Sequence, residues 1–148
     1  MARAGPGVFW SANTNGNFDI WARVLDNGKP GATVRISNAP GSDIDAVAAT
    51  DSTGHVWVAW QGWRDGKAGI FAASQRGNGF SAPVSLASST GNEWNPAIAA
   101  DASGRVSVAW DSYRDGNYDV FARTALIVQG VGKWGGEVGV ATSAAYEA

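Results

Sequence analysis

The residues of this chain best suited to chemistry are carboxylates and amides that recur at one place: Asp43, Asp45, Glu93, Asn95 and Glu147. Asp43 and Glu93 lie fifty positions apart, as do Asp45 and Asn95. Oxygen donors gathered in this way suit a hard cation such as Ca²⁺ or Mg²⁺, with Asp43, Asp45 and Glu93 as ligands. Crowded carboxylates also shift one another's proton affinities. The same three could therefore serve as general acid and base in a metal-assisted hydrolysis of a glycoside or phosphoester. Around them stand Trp63, Arg64, Trp94, Tyr113 and Arg114. Aromatic platforms with guanidinium groups suit a sugar or an anionic small molecule. A plainer reading stays open beside these. The acids would form a solvated, negatively charged rim, Trp63 and Tyr113 would cover loops, and Arg64 and Arg114 would pair with Asp65 and Asp115.

A second stretch also invites a metal reading. "SANTNGNFDIWAR" (11–23) and "DSYRDGNYDVFAR" (111–123) share Gly16/Gly116, Asn17/Asn117 and Asp19/Asp119. The sister segment "RDGKAG" (64–69) lacks the second aspartate, so no repeated metal loop is encoded. The stretch reads instead as a hairpin turn, required once per repeat and braced by Asp19 and Asp119. Asn-Gly and Asp-Gly pairs serve such turns because both central residues need positive φ.

Composition removes other chemistries. The 148 residues contain no cysteine and a single histidine, His55, which excludes thiol nucleophiles, disulfides and a multi-histidine zinc site within one chain. His55 falls in a turn on the face opposite the acids, so no Ser/His/Asp set is credible. The net charge of −2 and the absence of basic clusters argue against a nucleic-acid partner. No glycine-rich loop opens a helix to cradle phosphate. No apolar run is long enough to span a membrane. "MARAGPG" lacks the apolar core of a signal peptide, so the chain as expressed is expected to stay in the cytoplasm.

The elements that must position the acids follow from an internal repeat. Shifted by fifty, "DIDAVAATDSTGHVWVAWQGWRDGKAGIFAA" (43–73) falls on "EWNPAIAADASGRVSVAWDSYRDGNYDVFAR" (93–123) without a gap. A further step places Trp10 on Trp60 and Trp110, three residues expected in the core between repeats. The units span about 8–42, 43–92 and 93–148 of one domain, the third carrying an insertion near Gly130–Gly135. Each reads as four strands divided by turn clusters: "AVAAT"/"AIAAD", "VWVAW"/"VSVAW", "GIFAA"/"YDVFAR"/"FDIWAR" and "TVRIS"/"PVSLA"/"EVGVA". The stretch 125–141 is expected to be an apolar strand, a glycine-rich turn and another strand. First strands of small residues followed by bulky ones fit sheets that crowd near an axis and spread outward. The fold class is therefore all-β, a propeller fragment of about three four-stranded antiparallel blades.

"NPAIAADASGRVSVAWDSYRDGNYDVFARTA" resembles the repeat of the TolB-like and sialidase-like six-bladed propellers of bacterial secreted proteins. The resemblance covers nearly the whole chain and implies a secreted or periplasmic parent family. Asp51-Ser52-Thr53-Gly54 and Asp101-Ala102-Ser103-Gly104 are similar to the structural Asp-box of sialidases, with one extra residue before the glycine. The arginine triad and tyrosine nucleophile that a sialidase would need have no placeable counterparts here.

The first unit lacks a counterpart of "PAIAA" (96–100), and residues 1–7 are the segment available to supply one. An arc of three blades cannot close alone. The expected partner is a second copy of the chain, a homodimer that completes a six-bladed ring. In that ring Asp43, Asp45, Glu93, Asn95 and Glu147 would circle the channel mouth. Two functions follow: a binding or scaffold module with a polar, acidic ligand face, or the metal-assisted hydrolase.

Overall fold

A computed structural model describes residues 7–145, so Glu147 lies outside the described residues. It contains three antiparallel sheets and, among the described residues, no helix. The first sheet has the order β1 (Gly7–Thr14), β2 (Asn17–Asp26), β3 (Lys29–Arg35). The second has β4 (Asp43–Thr50), β5 (Val56–Arg64) and β6 (Lys67–Arg76), with the short β7 (Gly79–Phe80) and β8 (Val84–Ser85) both pairing β6. The third has β9 (Asn92–Ala100), β10 (Arg105–Arg114) and β11 (Asn117–Val128), with β12 (Val131–Trp134) and β13 (Val138–Ala141) both pairing β11. Three successive antiparallel sheets fit a propeller fragment, although the first has three strands among the described residues where a blade has four.

The hairpins form where the dipeptides dictate. Asn15-Gly16, Asn27-Gly28, Asp65-Gly66, Asp115-Gly116 and Gln129-Gly130 all have positive φ at both residues, for example 52° and 77° at Asp65-Gly66. That backbone matches the twist of the flanking strands and fixes their register. Opposite, at the Asp-box-like turns, Asp51 Oδ1 accepts the Thr53 amide (2.8 Å), the Thr53 hydroxyl (2.7 Å) and the His55 amide (3.1 Å). Asp101 repeats this with Ser103 and Arg105 at 2.8, 2.6 and 3.1 Å.

The core lies in the seams between sheets. Val58 and Trp60 of β5 pack on Ile20, Ala22 and Ile36 from the first unit. Val108 and Trp110 of β10 pack on Ile70, Ala72 and Leu86 from the second. Trp60 and Trp110 are 0% and 1% exposed. Trp10 is only partly buried, because no sheet lies beyond it among the described residues.

Two expectations need correction. The outer strand of the second and third units is split into two segments rather than continuous. The stretch 125–141 contains an additional strand: β11 runs on to Val128, turns at Gln129-Gly130 and returns as β12. The insertion has a packing role, since Trp134 meets Trp57 edge-on at 5.8 Å and 81°, extending the second seam.

Candidate functional site

Asp43 is the first residue of β4 and Glu93 the second of β9, and both are completely buried. They do not form a solvent-facing rim. Arg64 Nη2 stands 2.8 Å from Asp43 Oδ1, and Arg114 Nη2 stands 3.2 Å from Glu93 Oε1. The two arginines therefore pair with the acids that head the inner strands, not with their turn neighbours Asp65 and Asp115. Each guanidinium lies over an aromatic ring of its own sheet, Arg64 on Phe71 at 4.4 Å and Arg114 on Phe121 at 3.7 Å. A buried carboxylate needs a charge partner, and the long arginine reaching back from the hairpin supplies one charge-assisted hydrogen bond to each acid, while Asp43 Oδ2 and Glu93 Oε2 stay buried without a hydrogen-bond partner among the described residues.

The other partners complete the device. Arg114 Nη1 also reaches Glu137 Oε1 at 2.6 Å, and the Ser89 hydroxyl donates to Glu93. Burial pushes the Glu137 carboxyl up, but the hydrogen bond and charge of Arg114 outweigh it and hold the group below its ordinary range. The first sheet solves the problem with different residues. Its buried acid is Asp19, which accepts from Arg35 and, at 3.1 Å, from the Thr14 hydroxyl. Asp19 and the hairpin it braces are thus one more acid–arginine clamp. Asp119 instead accepts from Asn117 Nδ2 at 2.9 Å.

Asp45 and Asn95 do face solvent. Both adopt left-handed backbone, with φ of 55° and 52°, inside bulges that break the register between Ile44 and Val47 and opposite Ala109 and Asp111. A bulge re-aims a side chain out of the strand's alternation. Asn95 Nδ2 donates to Asp111 Oδ2 at 2.8 Å. Asn95, Asp111, Trp94 and Tyr118 line a shallow cavity of about 300 Å³. Trp94 and Tyr118 are 5.9 Å apart with rings tilted by 33°, and Tyr113 lies 4.8 Å from Tyr118.

Of the residues singled out in the sequence, the structure thus gathers Trp94, Asn95 and Tyr113 in one corner. Trp63 stands exposed in the second sheet, and Arg64 and Arg114 are engaged by buried acids. Sequence reasoning missed Asp111 and Tyr118. A signal for Tyr118 existed: a two-residue turn at Asp115-Gly116 places Tyr113 directly opposite Tyr118. Asp111 needed the pairing with β9, where it faces Trp94. In the second sheet the equivalent places hold Ile44, Gln61 and Ala68; Gln61 and Ala68 are buried, so the aromatic corner is not repeated there.

Among the described residues no three Asp, Glu or His side chains converge to hold a metal ion. Asp43 and Glu93 each face a guanidinium, whose charge opposes a cation. A larger cavity of about 430 Å³, lined by Arg64, Lys67, Phe71 and Ser85 among others, has its cations committed: Arg64 to Asp43 and Lys67 to the Ser89 carbonyl.

No protein-family model matches the sequence, and no curated protein matches it. Neither comparison supports the resemblance to TolB-like and sialidase-like repeats, and what is shown is the all-β, propeller-like fold. Among solved structures, the crystal structure of endo-arabinase from Bacteroides thetaiotaomicron is similar, with a TM-score of 0.58 and 16% identity. The match covers 92% of this chain and 58% of the endo-arabinase chain, so this chain shares the fold of a little over half of that larger protein.

Proposed function

We propose that the chain is a carbohydrate-binding propeller module whose ligand corner is formed by Trp94, Asn95, Asp111, Tyr113 and Tyr118. The observation that carries this reading is the pairing of tilted aromatic faces with a hydrogen-bonded amide and carboxylate in one cavity. Sugar rings offer apolar C–H faces to such rings and hydroxyls to such polar pairs. The structural likeness to an endo-arabinase supports a saccharide over an anionic ligand and makes arabinose oligomers the first probe.

The test is calorimetric titration with arabinan oligosaccharides and a panel of other plant and bacterial glycans. Binding of one class is expected, with Trp94→Ala weakening it roughly thirtyfold, the equivalent of about 2 kcal/mol. Absence of binding across the panel would overturn the reading.

The same likeness favours a second reading, glycoside hydrolysis. That chemistry needs two carboxyl groups flanking the bond, about 5–5.5 Å or 6.5–9.5 Å apart. The corner contributes one, Asp111, while Asp43 and Glu93 are buried against arginines. Binding is therefore preferred to turnover. Release of reducing ends from arabinan, abolished by Asp111→Asn, would establish the hydrolase instead. Loss of that activity with EDTA would establish its metal-assisted form.

A further inference from the structure

The two seams inside the chain are built from the same residues in the same places. One side inserts a Val and a Trp two positions apart, Val58/Trp60 or Val108/Trp110. The other side receives them with three apolar residues, Ile20/Ala22/Ile36 or Ile70/Ala72/Leu86. All ten are 7% exposed or less. Stepping by the repeat, the chain carries one further inserting half, Val8 and Trp10 of β1, on the outer face of the first sheet. It also carries one further receiving half on the outer face of the third sheet: Val120, Ala122 and Val140. Val140 is the counterpart of Leu86 in sequence order, since it follows Gly139, which opposes Phe121 as Ser85 opposes Phe71; the ladder then slips by one residue, so that Val140 and Ala141 together stand opposite Val120.

These halves are complementary and unmatched. Val8 is 49% exposed where Val58 and Val108 are 0%, and Val140 is 63% exposed where Leu86 is 0%. Exposure alone would not single them out, because Val84 is 43% exposed in the middle sheet, where both seams are already made. What singles them out is that each is buried at its other two occurrences. The halves also lie at opposite ends of the arc, so they cannot meet within one chain.

We infer that a second copy of this chain docks head to tail. Val8 and Trp10 of each copy seat on Val120, Ala122 and Val140 of the other, and two copies close a ring of six sheets about a two-fold axis. Repeat architectures gain stability from such nearest-neighbour seams. Each seam joins unlike faces and the two-fold axis relates the two seams, so both faces of each copy are used.

Size-exclusion chromatography with light scattering on the full chain tests this. Twice the chain mass is expected, with a melting temperature that rises with protein concentration. Ala122→Arg on the receiving half and Val8→Asp on the inserting half should each shift the mass to monomer while far-ultraviolet circular dichroism stays β-rich. Mixing the two variants should restore part of the dimer, since one intact seam forms between them. A wild-type monomer whose melting temperature is independent of concentration overturns the inference. So does a dimer that survives either variant, or a ladder of masses beyond two copies. The sugar titration reads different residues, so failure of one does not decide the other.

Discussion

Arg114 holds Glu93 at 3.2 Å across the top of the third sheet, and Arg64 holds Asp43 at 2.8 Å in the same position of the second. In each case an arginine next to a hairpin turn neutralises a wholly buried acid at the head of the inner strand. The clamp ties the hairpin to the inner strand and, in the third sheet, also to the loop at Ser89 and to Glu137, just before the outer strand β13. Removing one partner of such a pair leaves an uncompensated buried charge.

Arg114→Ala should therefore cost about 3 kcal/mol. Glu93→Gln should cost clearly less, because Arg114 keeps Glu137 at 2.6 Å. Urea denaturation midpoints at constant slope check the order. Equal losses, or a negligible loss for Arg114→Ala, would show that the clamp does not hold the sheet.

Asn95 separates backbone from side-chain roles. Its φ of 52° lies in the left-handed region, which a β-branched residue enters only at a cost. Asn95→Gly keeps that backbone and removes the amide that meets Asp111. The expected outcome is unchanged stability with saccharide binding weakened by about tenfold, or roughly 1.4 kcal/mol. Asn95→Val should lose both binding and about 1–3 kcal/mol of stability. Full affinity in Asn95→Gly would remove the amide from the site.

The repeat made the fold legible, because its period, its turn dipeptides and its Val-x-Trp pairs act locally and recur three times. It made the site only half legible. Counting along the inner strand suggests that Asp43 and Glu93 point to the axis, yet each folds under its own arginine. The following residue pair bulges, so Asp45 and Asn95 take the exposed place. A bulge is one extra residue in the pairing of two strands, and nothing in one strand's sequence announces it. Asp111 stayed hidden for the same reason: its role depends on which residue of β9 lies opposite. The extra strand β12 was masked by glycines that look like one long turn, whereas only Gln129-Gly130 makes it.

Acid should weaken the fold through a small set of groups. Burial raises the Asp51 carboxyl, but hydrogen bonds from Thr53, Trp57 and His55 outweigh it and lower the group from its ordinary 3.8. Asp101 is lowered by Ser103 and Arg105, and Glu137, ordinarily 4.5, by Arg114. For each, the unfolded chain takes up a proton at a higher pH than the folded one. Their stabilisation is complete above the ordinary values and is lost as pH falls through the lowered ones. Melting temperatures should thus be level near neutrality and decline below about pH 4. Asp51→Asn should flatten that decline more than Asp101→Asn, because Asp101 is exposed and screened. A melting temperature unchanged on acidification to about pH 3 would contradict this.

Gly41 and Gly91, one repeat apart, are required by space rather than by φ. A Cβ on Gly41 would collide with the Trp63 carbonyl, and one on Gly91 with the Tyr113 carbonyl. Both carbonyls are backbone, so the loop itself must move. That loop carries Ser89, which donates to Glu93 and accepts from Lys67 through its carbonyl. Gly91→Ala should therefore cost about 1–3 kcal/mol, the usual penalty of overpacking. Gly136 provides the control. A Cβ there meets nothing within 4 Å, and its φ lies outside the left-handed region. Gly136→Ala should be neutral or stabilise by about 0.4–1 kcal/mol through the unfolded chain. Urea midpoints for the two variants decide the matter. Similar values would mean that the loop adapts freely and does not position the clamp.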